Sequence, residues 1–294
     1  MSAEVSAATG RRYGIQRVCR VWRVPRSTVY AKRQPRALGT PTRGRQGTID
    51  DDQLLEAIRQ DLVESPFVGE GHRKVWARLR VQREVRVSRK RLLRVMRENQ
   101  LLSPHRVPKG EPSLHDGRIT TDAPNVMWGT DGARVATVED GYSWIFVAVE
   151  HWSTECVGFH VCKEGTRYAA LEPVAMGLQR IFGSTHVDVA RGLAVRHDHG
   201  TQYVSHHFQR QLRFWGIAPS YAFVGEPQTN GVAERFIRTM KEQVIHGRIY
   251  RNVEELRRAV AAFVERYNAH WLVEKLGFIS PNQARQASQL RLAA

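Results

Sequence analysis

The chain has 294 residues, 41% of them hydrophobic, enough to bury a substantial core and too many for wholesale disorder. Its net charge of +16 and pI near 10.4 call for an anionic partner, nucleic acid or an anionic membrane surface. It holds no run of about 18 apolar residues, its opening residues lack the apolar centre of a signal peptide, and Cys19, Cys156 and Cys162 are too few for a disulfide framework or a Cys-x-x-Cys zinc site. The expectation is a cytoplasmic protein with no membrane partner.

The charge is unevenly spread. Residues 1–106 carry 24 Lys and Arg against 10 Asp and Glu, and the remainder carries 21 against 19. A basic, DNA-gripping leader attached to a nearly neutral body is the reading this asymmetry favours. In "YGIQRVCRVWRVPRSTVYAKRQ" the apolar residues Ile15, Val18 and Val21 or Trp22 recur at helical spacing. After the break at Val24-Pro25, "RSTVYAKR" starts a second helix with Ser27 as its cap, so residues 11–34 read as a helix-turn-helix segment. Residues 35–50, rich in Pro, Gly and charge, read as a linker.

Residues 51–103 form a second basic helical module. Its helices carry Leu54, Leu55, Ile58 and Leu62, then Val75, Trp76 and Leu79, then Leu92, Leu93 and Met96 behind a Ser88 cap. The last helix is studded with Arg89, Lys90, Arg91, Arg94 and Arg97, and Arg89, Lys90 and Arg94 are candidate phosphate contacts. A solvated helix face is the plainer alternative. Residues 104–123 read as another linker.

From residue 124 the texture changes. "NVMWGTDGARVATVEDG", "YSWIFVAVEHWS" and "ECVGFHVCK" read as an antiparallel meander, followed by an amphipathic helix interrupted early by Pro173. "GLAVRHD" is a short strand, "SHHFQRQLRFWG" a helix ended by Gly216, and "APSYAFV" a strand. Two long helices follow, "PQTNGVAERFIRTMKEQVI" and "NVEELRRAVAAFVERYNAHW". That order predicts an α/β fold with a mixed sheet of five strands and flanking helices.

Three acids stand out by position. Asp131 lies inside the first strand, Asp198 just past the fourth, and Glu234 near the start of a long helix, 35 residues intervening between the last two. Singly each has an ordinary role, as an edge residue, a turn former or a helix charge. Gathered at one sheet edge they would repel one another unless a cation balanced them, and oxygen-only ligands suit Mg2+ or Mn2+ rather than zinc. Two such ions about 3.5–4 Å apart could promote an in-line phosphoryl displacement. His197 and His199, flanking Asp198, alternate along an extended chain and so point apart, which disfavours a zinc pair. Glu234, Arg238 and Lys241 share one helix face, with Val232, Phe236, Met240 and Val244 on another. Arg238 and Lys241 are therefore expected to hold DNA phosphates, the alternative being a surface ion pair between Arg238 and Glu234.

"WGTDGARV", "RHDHGTQYVS" and "GEPQTNGVAERFIRTMKEQ", with that 35-residue gap, resemble the three blocks of the Asp-Asp-Glu transposase and retroviral integrase superfamily. "GEGHRKVWARLR…VSRKRLLRVMRENQLL" and "VERYNAHWLVEKLGFISPNQAR" resemble the helix-turn-helix ahead of that core and the segment that closes it. The chain is most similar to OrfB-type transposases of the insertion-sequence-three family, from Arg12 to Ala287. The resemblance implies an RNase H-like integrase core over residues 124–287, with Asp131, Asp198 and Glu234 as catalytic residues and ligands of two divalent ions. It also implies DNA rather than a small molecule as substrate, with Asn230 among the DNA contacts, cleavage at element ends, joining to target DNA in a homo-oligomeric synaptic complex, and a place at the bacterial nucleoid.

Three positions depart from the commonest family wording. Arg196-His197 replaces His-Ser before the second acid, Thr229-Asn230 replaces Asp-Asn, and Glu150 stands where Asp is common. None replaces an acid of the triad. If His197 only lines the site, its replacement by Ser is expected to be tolerated. The competing functions are an RNase H-like nuclease and a DNA-binding regulator with a decayed core.

Overall fold

A computed structural model describes residues 3–33, 49–104, 121–221 and 230–293, which fall into two compact units, Met1–Gly47 and Thr48–Ala294. Most of both expected linkers, Thr229 and the end of the "APSYAFV" run lie outside the described residues.

In the first unit α1 (Gly14–Val21) and α2 (Arg26–Arg33) form the expected helix pair. The second starts directly after Pro25, so Ser27 falls inside its first turn rather than capping it. Cys19 is the one buried side chain among the unit's described residues; Ile15 and Val18 are half-buried, while Val21 and Trp22 are exposed. A unit of this size with one sealed residue has little core of its own.

The second unit begins with three helices, α3 (Asp51–Glu64), α4 (His72–Gln82) and α5 (Arg89–Glu98). Asp50 and Gln53 make a reciprocal capping box at α3, and the Ser88 hydroxyl caps α5 by accepting the Arg91 N–H. Leu54, Ile58, Val75, Leu79, Leu92 and Met96 close a small core between them, as the periodicity predicts. Arg78 is buried beneath it, paired with Asp61 at 2.7 Å and with Glu70. The loop between α3 and α4 sends Phe67 into the core of the following sheet, edge-on to Trp271 at 5.0 Å.

That sheet has the order β3-β2-β1-β4-β5. β1 (Met127–Thr137), β2 (Gly141–Glu150) and β3 (Cys156–Cys162) make the antiparallel meander; β4 (Ala194–His197) and β5 (Ala218–Tyr221) run parallel to β1. Parallel neighbours need crossover helices, supplied by α6 (Glu172–Phe182) and α8 (His206–Phe214), with the one-turn α7 (Thr201–Val204) between β4 and α8. Pro173 stands in the first turn of α6, where its missing N–H costs nothing, so it opens the helix rather than interrupting it. α6 and α8 cover Trp128, Phe146, Ala148 and Val195. α9 (Gly231–Met240), a π-helical turn (Lys241–Ile245) and α10 (Val253–His270) cover Val135, Ile145, Val147 and Val149 on the other face. α11 (Pro281–Ala293) closes the chain against α10. This mixed five-stranded sheet between helices is the RNase H-like arrangement that the resemblance implies.

The α6 face approaches so closely that a Cβ on Gly158 of β3 would stand 2.0 Å from the Pro173 carbonyl oxygen. Backbone cannot move aside as a side-chain tip does. Gly158→Ala is therefore expected to destabilise the protein by about 2–3 kcal/mol in urea unfolding, with the denaturant dependence unchanged.

Candidate active site

β1 is eleven residues long and pairs with β2 over nearly its whole length, but β4 is four residues long and pairs with it only at Met127–Gly129. Gly129 faces Arg196 across that pairing. Two residues further along the two chains come Asp131 and Asp198, so both acids emerge where β4 has ended and β1 continues.

Asp131 is half-buried, and its Oδ1 accepts the Gly132 N–H at 2.7 Å. Burial pushes its carboxyl up to about 6; Asp198 and Glu234 add to the rise, while the Gly132 N–H and Lys241 oppose it. Asp198 is exposed, with Oδ1 held by the Gly200 N–H at 2.9 Å. Glu234 stands in the first turn of α9 with its pKa raised by burial, Arg238 opposing and Asp198 adding to the shift. The acids thus share one electrostatic neighbourhood. They do not form a closed cage: among the described residues no three His, Cys, Asp or Glu side chains come together closely enough to hold a metal ion.

α9 lies across this edge because Gly129 makes room for it. A Cβ there would meet Asn230 Oδ1 at 3.0 Å, His151 Nε2 at 3.1 Å and the Ala233 methyl at 3.3 Å. Asn230 is 2% exposed and its amide donates to the Thr130 carbonyl at 3.1 Å. A side chain packed against β1 in this way anchors the helix start. Phe236, Met240 and Val244 bury the opposite side of the helix. Arg238 and Lys241 make no contact ion pair among the described residues, so the expected alternative of a surface pair with Glu234 is not formed.

The cations of α5 are less free than their sequence suggests. Arg94 pairs with Asp51 at 2.5 Å and Glu98 at 2.8 Å. Arg89 pairs with Glu274 at 3.3 Å and lies over the rings of Trp76 and Phe278. Lys90 is exposed and has no ion-pair partner among the described residues.

His197 is fully buried, contrary to the picture of a residue lining the site. Its ring is stacked on Tyr203 and meets Phe208 and Tyr221 edge-on, with centroids 4.9–5.6 Å away. Nδ1 contacts the Asp198 carbonyl at 2.7 Å and Nε2 contacts Gln209 Nε2 at 3.1 Å. A serine there would leave a cavity and an unpartnered amide, which makes the expected tolerance to Ser untenable. Sequence reasoning missed Gln209, Tyr203 and Tyr221, because ordinary helix and strand patterns place them and nothing in the sequence marks them as neighbours of Asp198. It also missed Lys275, whose ammonium donates to the His151 carbonyl and whose pKa is lowered by burial.

The raised carboxyl of Asp131 has a consequence for stability. Between pH about 4 and about 6 the unfolded chain sheds a proton that the folded chain retains, so stability falls as pH rises through that window. In chelator-treated protein Asp131→Asn, which keeps the Gly132 hydrogen bond, is expected to be more stable than the parent at pH 7 by up to about 3 kcal/mol. The advantage disappears below pH about 4, as urea unfolding at several pH values will show.

Residues 50–109 match a family model of an HTH-like domain, and residues 121–227 and 215–281 match two models of an integrase core domain. The two core matches together span more than half of the chain. Over 290 residues the chain is 29% identical to transposase InsD for insertion element IS2A/D/F/H/I/K of Escherichia coli, covering 94% of this chain and 92% of that one. Among solved structures it is similar to the catalytic core domain of HTLV-2 integrase in complex with magnesium, at 17% identity and a TM-score of 0.40 over 54% of this chain and 95% of that one. It is also similar to the catalytic core domain of BIV integrase, at 19% identity and a TM-score of 0.41 over 58% of this chain and 99% of that one. An HTH-like block followed by an integrase core, in a chain matched nearly end to end by an insertion-element protein, settles the family: the chain belongs to the integrase-core transposases of bacterial insertion elements.

Proposed function

We propose that this transposase binds the terminal inverted repeats of its element, cleaves the DNA there and joins the ends to target DNA, with Asp131, Asp198 and Glu234 as the reacting centre. The observation that supports the reading is the electrostatic coupling of three acids from β1, the end of β4 and the first turn of α9: the raised pKa of Asp131 is traced partly to Asp198 and Glu234, and that of Glu234 partly to Asp198. Such a set is destabilised by its own charge and is relieved by a cation.

The donors fit a hard divalent ion, Mg2+ or Mn2+, because all are carboxylate oxygens and Asp131 and Asp198 each spend one oxygen on a neighbouring N–H. Two such ions, when bound, would supply Lewis-acid stabilisation to an in-line phosphoryl displacement. The open spacing of the acids fits a site that draws together as charge is neutralised. Asp131, half-buried, is fixed within a strand; Glu234 is half-buried in the first turn of its helix, and Asp198 is exposed. Arg238 and Lys241, on the Glu234 face of the helix, hold the phosphates flanking the scissile one.

Affinity for the element ends comes from the basic helical segments. Lys90 is available for a phosphate as it stands, whereas Arg89 and Arg94 must exchange a carboxylate for one. Two ends brought together need two such chains, hence a homo-oligomer. The setting is bacterial cytoplasmic DNA, and no helix among the described residues is long and apolar enough to cross a membrane.

Asp131→Asn, Asp198→Asn and Glu234→Gln are each expected to reduce strand transfer in Mg2+ to background while leaving binding to an end-containing duplex intact. An assay with a pre-cut end and a supercoiled target separates joining from simple hydrolysis, and hydrolysis alone would favour the nuclease reading. Lys241→Glu is expected to weaken end binding and to lower the slope of log affinity against log salt by about 1 or more. Unchanged salt dependence would remove Lys241 from the DNA interface.

A further inference from the structure

Asp198 is the exposed acid of the three, one residue beyond its strand, and among the described residues its carboxylate is held by one hydrogen bond, from the Gly200 N–H. What fixes the peptide that carries it is a line of hydrogen bonds that starts at the partly exposed Tyr221 and runs inward through Gln209 and His197. Tyr221 Oη donates to Gln209 Oε1 at 3.0 Å, and Gln209 Nε2 donates to the Tyr203 carbonyl at 2.8 Å and to His197 Nε2 at 3.1 Å. With Nε2 accepting, the ring proton sits on Nδ1, which donates to the Asp198 carbonyl at 2.7 Å. His197 is 0% exposed and Gln209 7%, so water does not substitute for these bonds. The rings of Tyr203, Phe208 and Tyr221 hold the imidazole on three sides.

We propose that Gln209 and Tyr221 are positioning residues that act through His197 to hold Asp198 ready for a divalent cation before DNA arrives. The inference rests on the three-carboxylate reading above. A well-packed apolar cluster would fill the same space; hydrogen bonds that run in one direction and end on the Asp198 carbonyl add control over how that peptide is turned. Rotation of the 198–199 peptide would carry away the Gly200 N–H that holds Asp198 Oδ1, and the His197 bond opposes it. A serine, the residue common at this position in the family, is too short to bridge Gln209 and the Asp198 carbonyl. The histidine, the glutamine and the tyrosine are therefore read as one unit in this chain.

The test uses the full chain with Gln209→Leu, which keeps most of the volume, and Tyr221→Phe, which removes one oxygen from a half-exposed ring. Mn2+ binding without DNA is measured by electron paramagnetic resonance, and amide hydrogen exchange over residues 198–204 is followed in the ion-free protein. We expect a Mn2+ Kd raised about 10-fold in Gln209→Leu and less in Tyr221→Phe, with faster exchange across that segment. In strand transfer kcat falls while KM for the DNA end is unchanged, and Tyr221→Phe has no further effect in a His197→Ser background. If Gln209→Leu does not fold, Tyr221→Phe carries the same readouts. Parent-like Mn2+ binding and exchange in these variants, with binding lost in Asp198→Asn, would overturn the positioning role alone. Parent-like Mn2+ binding in Asp198→Asn would instead overturn the three-carboxylate reading, and the positioning role with it.

Discussion

The site exists because two neighbouring parallel strands differ in length. β4 stops at His197 while β1 runs on to Thr137, so from Thr130 to Ala136 one edge of β1 has no strand partner on the side that β4 would have occupied, until Thr137 bridges to Tyr250. A longer β4 would carry Asp198 alongside β1 as one more ladder residue, and α9 would have no edge to cross. Gly129 completes the arrangement, since any side chain there would collide with Asn230 and Ala233 and lift the helix that carries Glu234. The acids are brought together by strand length and one missing Cβ rather than by contacts among themselves.

The consequence is electrostatic. Hydrogen bonds from adjacent N–H groups hold Asp131 and Asp198 without cancelling their charge. In contrast, the acids that only stabilise the fold are fully matched: Glu155 is paired with Arg180 and Arg285, and Asp61 and Glu70 with Arg78. Glu150, the position where the family commonly has Asp, turns back to accept the Trp152 and Ser153 N–H groups and the Ser153 hydroxyl. Its longer side chain is absorbed by this local turn. Asp131, Asp198 and Glu234, unlike Asp61, Glu70 and Glu155, make no contact ion pair among the described residues.

Much of this was legible in the sequence because it rests on short-range patterns. Period-two runs gave the meander and Ser88 gave a helix start, and the places of Asp131 in the first strand, Asp198 past the fourth and Glu234 near a helix start are as the patterns put them. What sequence did not disclose depends on packing between distant segments. Asn230 looks like a polar loop residue facing DNA, yet a hydrogen bond to Thr130, 100 positions away, buries it. Arg89 and Arg94 look like free phosphate ligands, but Asp51 and Glu274 occupy them. His197 read as a residue lining the site because Gln209 and Tyr221, which make it part of the interior, come from a helix and a strand with no motif. α11 escaped notice since its apolar positions are too few to show a face.

The helical block and the sheet are also joined more firmly than two modules on a linker would be. α9 passes into a π-helical turn at Lys241, and the turn presents Gln243 to the α3–α4 loop, where its amide exchanges two hydrogen bonds with the Val68 backbone. A π turn shifts the residues after it around the helix axis, so Gln243 faces that loop while Val244 stays buried in the core. On the other side of the junction Glu274 binds Arg73 and Arg89, and the adjacent Lys275 donates to the carbonyl of His151, whose ring stands beside Gly129. Phe67 and Trp271 fill the space between. The helix bearing Lys90 and the helix bearing Glu234 are thus fastened to each other through two independent sets of contacts within one compact unit. The distance from a phosphate held on α5 to the acids is consequently set by this packing.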